Sequence, residues 1–155
     1  VLFPGVRLGY LALPSGLVDR FASASHLLQD GEPELSQRVL ATFMREGHFA
    51  WHLRRMRALY ARRRAALAGA LGDAFGEAIT ITLQGGGMHL LARFAGDVPD
   101  TEPAARAVRA WLTPTPLSQL CVRPRADQGL LLGFTNVAEL QAEPLAWQLA
   151  TALLG

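Results

Sequence analysis

Ile79-Thr80-Ile81-Thr82-Leu83, Gly85-Gly86-Gly87 and Met88-His89-Leu90-Leu91-Ala92-Arg93-Phe94 decide the fold class. The first run is rich in β-branched residues. The glycines read as a flexible turn or a point of close backbone approach, and the third run alternates well enough to pair with the first. Upstream the period is helical. Phe49, Leu53, Met56, Tyr60, Leu67 and Leu71 step by 4, 3, 4, 7 and 4, which is a stripe down one side of a helix of about six turns, from His48 to about Leu71. Helices grouped around a few paired strands predict an α+β class in which helices cover one face of a small sheet.

Working outward, Arg54, Arg55 and Arg62 fall on the side of the long helix opposite the stripe. Arg63 and Arg64 stand where the next apolar residue is due, so at least one is expected to reach an interface or a carboxylate. Towards the amino terminus, Arg7 to Leu13 is short, apolar and bounded by Gly5 and Pro14, as a buried strand is. It has no partner nearby in sequence and is expected to join a sheet built by residues before Val1. Ser15 is expected to cap a helix with Leu17, Phe21, Ala24 and Leu28 inward, and Glu34 to open another with Leu35, Val39, Leu40 and Phe43 inward, closed or kinked at Gly47. Towards the carboxy terminus, Pro103 suits a first helical turn, with Ala104, Val108, Trp111 and Leu112 inward and Pro114 and Pro116 ending the helix. Residues 117–122 and 129–134 read as short strands, and a final helix carries Leu145, Leu149 and Leu153. Three regions result: 1–47 with a strand and helices, 48–75 as one long helix, and 76–155 as a small α+β unit.

The 155 residues are 50% hydrophobic and 18% charged, which suits one ordinary folded domain and excludes long disorder or a coiled coil. No run approaches the roughly 20 apolar residues of a membrane helix. The one cysteine, Cys121, cannot form an internal disulfide, and no Cys/His cluster has zinc spacing, so a reducing, cytoplasmic setting is expected. All 15 basic residues are arginine. Schiff-base chemistry through a lysine of this chain is therefore excluded. A net charge of +2 implies no nucleic-acid partner by itself. Val1-Leu2-Phe3-Pro4-Gly5 has neither an initiator Met nor a signal-type pattern and reads as a chain already under way.

Few residues carry distinctive chemistry. Arg7, beside a glycine-containing turn, has two readings: a phosphate grip through paired hydrogen bonds, or a strand-end salt bridge. His48 and His52 are four apart on one helix, as two metal ligands can be, but no third ligand has helpful spacing and capping or packing is the plainer role. Cys121 reads as a small buried apolar residue. Gly85-Gly86-Gly87 precedes a strand pattern and lacks GK[ST] or GxGxxG, so it is no nucleotide loop. The arginines from Arg54 to Arg64 wind around the helix rather than forming one stripe, which favours a solvated face over a DNA contact.

Three stretches together resemble a known family. Val1-Leu2-Phe3-Pro4-Gly5-Val6-Arg7-Leu8-Gly9-Tyr10 resembles the segment that follows the cofactor lysine in MocR-type regulators of the GntR superfamily. These join a winged helix-turn-helix to a fold-type I aminotransferase-like domain. Residues 46–60 with Arg62-Arg63-Arg64 are similar to the helix joining that domain's large and small subdomains, and Gly87 to Leu91 and Gly129 to Phe134 to its small-subdomain strands. The resemblance implies a cytoplasmic, dimeric, pyridoxal 5'-phosphate (PLP)-responsive transcription regulator, of which this chain is the carboxy-terminal part. DNA would be bound through an upstream domain, a small amine or amino acid would be the effector, and region 1–47 would end the large subdomain. The internal-aldimine lysine would lie just before Val1, and Arg7 would hold the cofactor phosphate.

One departure matters. Aminotransferases of this fold usually carry an arginine near Leu131 that clamps the substrate α-carboxylate, whereas this sequence has Leu130-Leu131-Leu132. Arg123 or Arg125 is expected to substitute from the preceding loop. The departure speaks against ordinary transamination, because a bidentate anchor orients the substrate. The competing reading is the same part of a true class I/II aminotransferase. A third is a nucleic-acid-binding module using the arginine helix.

Overall fold

Gly47 separates two helices by a left-handed turn. A computed structural model describes residues 8–29, 34–83, 85–96, 99–109, 112–122 and 128–154, and the chain divides into two units, Val1–Met56 and Arg57–Gly155. In the first, a 3-10 turn at Ser15–Leu17 leads into α1 (Val18–Gln29), followed by α2 (Glu34–Arg45) and the start of α3 (His48–Phe75). Gly47 has φ +82° and donates its N–H to the Met44 carbonyl, while Glu46 donates to Thr42. That closure uses the freedom that glycine alone has at positive φ, so Gly47 ends α2 as expected.

Other expectations for this unit are corrected. Residues 8–14 form no strand, and Tyr10 and Leu11 are exposed. An apolar run becomes a strand only with a ladder partner, and none of the described strands pairs with it. Ser15 lies inside the 3-10 turn, which no side chain caps. The apolar stripes of α1 and α2 are not inward: Leu28 is 85% and Leu35 77% exposed, and no described residue up to Met56 is buried. Periodicity locates a stripe but does not supply the surface it packs on.

The second unit holds the core. α3 continues to Phe75, and a 3-10 turn at Gly76–Ala78 leads into β1 (Ile79–Thr82), β2 (His89–Phe94), α4 (Thr101–Arg109), β3 (Thr115–Pro116), β4 (Leu130–Gly133) and α5 (Ala142–Leu154). The four strands form an antiparallel sheet in the order β1-β2-β4-β3. Ile79 faces Phe94, Ile81 faces Ala92, Leu90 faces Leu132, and Ala92 faces Leu130. These residues share one side of the pleat and pack with Leu67, Leu71 and Phe75 of α3, Ala104 and Ala107 of α4, and Ala146 and Leu149 of α5. Helices cover that side, as the α+β expectation requires.

Three details differ from the sequence reading. The strand expected at 117–122 is a 3-10 turn at Leu117–Leu120, and the ladder residues are Thr115 and Pro116. β3 is an edge strand, where a proline without an N–H is tolerated. In α4 the inward residues are Pro103, Ala104 and Ala107, while Val108 is exposed. Small side chains on the packed face let α4 approach its neighbours closely. Leu112 is half-buried against the core, and Trp111 lies outside the described residues. In α5 Leu149 and Leu153 are buried, with Ala142, Ala146 and Ala150 completing the stripe, and Leu145 is half-buried.

Candidate functional site

Strand alternation gives the sheet a second face of different chemistry. Thr80 lies opposite Arg93, Thr82 opposite Leu91, His89 opposite Gly133, and Leu131 between Leu91 and Thr115. This face carries three threonines, a histidine and an arginine, and no acidic residue. Arg93 donates from Nη1 to Thr82 Oγ1 at 3.2 Å. Leu131, at the place where the resemblance puts a carboxylate clamp, belongs to this face and offers only an aliphatic surface. The sequence reading did not single out His89 and Arg93 as one set, although the period of two in Met88 to Phe94 puts both on one side with Leu91.

The segment leading into β4 is fastened by Asp100, which has 0% relative exposure. Its carboxylate accepts from the Ser118 N–H at 2.9 Å, the Ser118 hydroxyl at 2.5 Å and the Gly129 N–H at 3.1 Å. Its own N–H donates to Gln128 Oε1 at 2.8 Å. Asp100 directly precedes α4, where an aspartate ordinarily caps its own helix. That position was the available signal, but the side chain is turned to distant residues. Gly129 is constrained too, since a Cβ there would lie 2.8 Å from the Ala92 carbonyl oxygen and 3.0 Å from Leu91 Cδ1. Gly129→Ala is therefore expected to lower the stability of the chain by about 1–3 kcal/mol through backbone displacement. Urea unfolding checks this, and an unchanged midpoint contradicts it.

Several arginines of α3 are engaged within the protein. Arg63 donates to the Thr135 carbonyl, so the stripe-breaking residue does reach a partner, a carbonyl rather than a carboxylate. Arg64 is likewise half-buried. Arg62 pairs with Glu139 at 3.0 Å, and the Arg55 guanidinium sits 5.5 Å from the Trp51 ring centroid. His48 Nε2 lies 3.3 Å from Glu46 Oε2 and its ring packs against Phe43, whereas His52 Nε2 is buried without a hydrogen-bond partner. Among the described residues no group of three or more His, Cys, Asp and Glu side chains could hold a metal ion. Cys121 is half-buried rather than buried, with its thiol 3.5 Å from the Leu117 carbonyl. Arg7, Arg123 and Arg125 lie outside the described residues.

Two cavities of about 320 and 310 Å³ open on the second unit. The first is bordered by Arg106, which is already engaged by Glu102 at 2.6 Å and by the Leu153 carbonyl. The second is mainly aliphatic, with His89, Thr113, Thr115 and Asn136 as its polar residues. Neither offers an uncommitted guanidinium for a phosphate, and the chain has no lysine for an aldehyde cofactor. The described residues do not by themselves make a PLP site. No described helix is long and apolar enough to cross a membrane.

No family model matches the chain. It is 33% identical over 136 residues to the probable rhizopine catabolism regulatory protein MocR of Rhizobium meliloti, covering 88% of this chain and 28% of that protein. It is 30% identical over 152 residues to the HTH-type pyridoxine biosynthesis transcriptional regulator PdxR of Corynebacterium glutamicum, covering 97% of this chain and 32% of the relative. The chain thus spans about a third of the length of these curated relatives. Among solved structures, LysN, an alpha-aminoadipate aminotransferase from Thermus thermophilus complexed with N-(5'-phosphopyridoxyl)-L-leucine, superposes with a TM-score of 0.86 at 20% identity, covering 98% of this chain and 39% of that one. The sheet, its helical cover and the long α3 are therefore part of an aminotransferase fold, and by sequence the chain belongs to the MocR-type family of GntR transcriptional regulators.

Proposed function

We propose that this chain is the carboxy-terminal part of the effector-sensing, aminotransferase-like domain of a PLP-responsive transcription regulator. The observation that carries the reading is the pairing of an aminotransferase fold with similarity to regulators along almost the whole chain. In this reading region 1–47 ends the large subdomain, 48–75 is the connecting helix and 76–155 is the small subdomain. The intact protein is a cytoplasmic homodimer that binds DNA through a helix-turn-helix elsewhere in its sequence. PLP supplies an electrophilic carbonyl when bound. The described residues form no complete site for it; from this chain Arg7 is assigned to the phosphate, and the rest of the protein supplies further contacts.

Arg123 and Arg125 are proposed to meet the carboxylate of a small amine or amino-acid effector. Leu131 supports a sensor over an enzyme. Sensing requires differential binding to two conformations, whereas transamination requires the substrate to be oriented anew at each turnover. The full-length, cofactor-loaded protein mixed with a panel of α-amino acids and an α-keto acid acceptor is expected to show binding without product accumulation. Multiple turnovers with an ordinary amino acid would instead support the aminotransferase reading.

A further inference from the structure

We infer that the cavity where β3 parts from β4 binds an uncharged aliphatic amide. Leu117 donates its N–H to the Gly129 carbonyl, and the pairing continues with Thr115 opposite Leu131. The same register places Thr113 opposite Gly133, yet the ladder stops at Thr115, and among the described residues no backbone hydrogen bond joins Thr113 to Gly133. Strand alternation fixes which way Gly133 faces. Phe134 donates its N–H to the Met88 carbonyl on the β2 side, so Gly133, one residue earlier, turns its N–H and C=O to the β3 side. One donor and one acceptor therefore lack the strand partner that the register supplies elsewhere, and Gly133 borders the cavity of about 310 Å³.

The rest of the lining sets the rest of the ligand. Leu67, Leu71 and Leu149 bring the buried core to the cavity, joined by half-buried Leu145 and Val137. Such a surface takes an alkyl chain. A cavity of about 150 Å³ holds one benzene ring, so about twice that volume has room for a chain of about six carbons with its head group. His89, Thr113, Thr115 and Asn136, all exposed, supply further donors and acceptors. No Asp, Glu or Arg lines the cavity. A charged head group would lose its water there without gaining a counter-charge, which disfavours it. A neutral amide, by contrast, offers Gly133 the N–H and C=O that a paired strand residue would have offered.

The test uses the full-length regulator loaded with PLP, titrated by calorimetry with hexanamide, hexanoate and acetamide. None of the three carries a basic amine, so none reacts with an aldehyde cofactor. Hexanamide is expected to bind at least about tenfold more tightly than hexanoate, which has the chain but a charged head. Acetamide, which has the head but almost no chain, should be weaker by at least about tenfold as well. Val137→Phe fills the aliphatic part of the cavity and is expected to weaken hexanamide at least about tenfold. Thr113→Val and Asn136→Ala change exposed side chains and should each weaken it about threefold. Hexanamide should also slow hydrogen exchange at the Gly133 amide of the wild type. Absence of hexanamide binding to the wild type overturns the inference, and so does equally tight binding of hexanoate, which contradicts the uncharged head. Binding that survives both exposed variants and leaves Gly133 exchange unchanged puts the amide elsewhere and overturns it too. Where Val137→Phe does not fold, the two exposed variants and the exchange measurement decide.

Discussion

Leu130→Ala is expected to destabilise the chain by about 2–5 kcal/mol, which is a large part of the total stability of a domain of this size. Leu130 has 0% relative exposure and stands on β4 between Ala92 of β2 and Pro116 of β3, on the side of the sheet that the helices cover. Its two ladder partners, Ala92 and Pro116, have small or rigid side chains that cannot expand into the space left behind, so the cavity term is expected near the upper part of that range. Leu131→Ala is the control. Its residue is half-buried on the opposite face, and the loss should be at most about half as large. Chemical unfolding of both variants checks the difference. Equal losses would contradict the assignment of the two sheet faces.

That contrast also shows what the sequence made legible. Ile79 to Phe94 was readable as a hairpin because β-branched alternation and a glycine loop are local signals. The long helix was readable because its stripe persists through Tyr60, Leu67 and Leu71, and the structure adds Ala70 and Phe75. The short β3 lies at Thr115–Pro116, just before the apolar run 117–122 that reads as a strand. Two ladder residues leave almost no periodic trace, and what fixes them is a tertiary neighbour, β4. Val108 was set inward by its hydrophobicity, yet close packing of α4 selects Ala104 and Ala107. The stripes of α1 and α2 were read correctly as stripes, but a sequence window holds no information on the surface that meets them.

The candidate site divides along the same line. Arg7, Arg123 and Arg125 came from family resemblance and from residue type, since a guanidinium suited to an anion can be named from sequence alone. Arg63 could be flagged because it breaks an apolar stripe, although its partner, the Thr135 carbonyl 72 residues away, could not. Asp100 carries no such signal, because an aspartate before Thr101-Glu102-Pro103 has a sufficient local explanation as a helix cap. Its carboxylate instead binds Ser118 and Gly129. Long-range hydrogen bonding of this kind is set by the fold, not by spacing, so local reasoning assigns such a residue its commonest role.

Arg7→Ala in the full-length regulator is expected to reduce PLP affinity by at least about tenfold, because the proposed contact is a charge-assisted, two-pronged grip on a phosphate worth about 2–4 kcal/mol when desolvated. The cofactor's covalent partner cannot come from this chain, which has no lysine, so the phosphate is the part of the cofactor that this chain is proposed to hold. Arg7→Lys retains the charge but not the planar fork, and should fall between wild type and alanine. Titration of the purified apo-protein with PLP, followed by absorbance, gives the three affinities. An unchanged far-UV circular dichroism spectrum and thermal unfolding midpoint serve as the control for folding. Equal PLP affinity for wild type and a folded Arg7→Ala variant would assign Arg7 to an ordinary salt bridge, whereas loss in alanine with partial recovery in lysine supports a phosphate grip in which geometry contributes beyond charge.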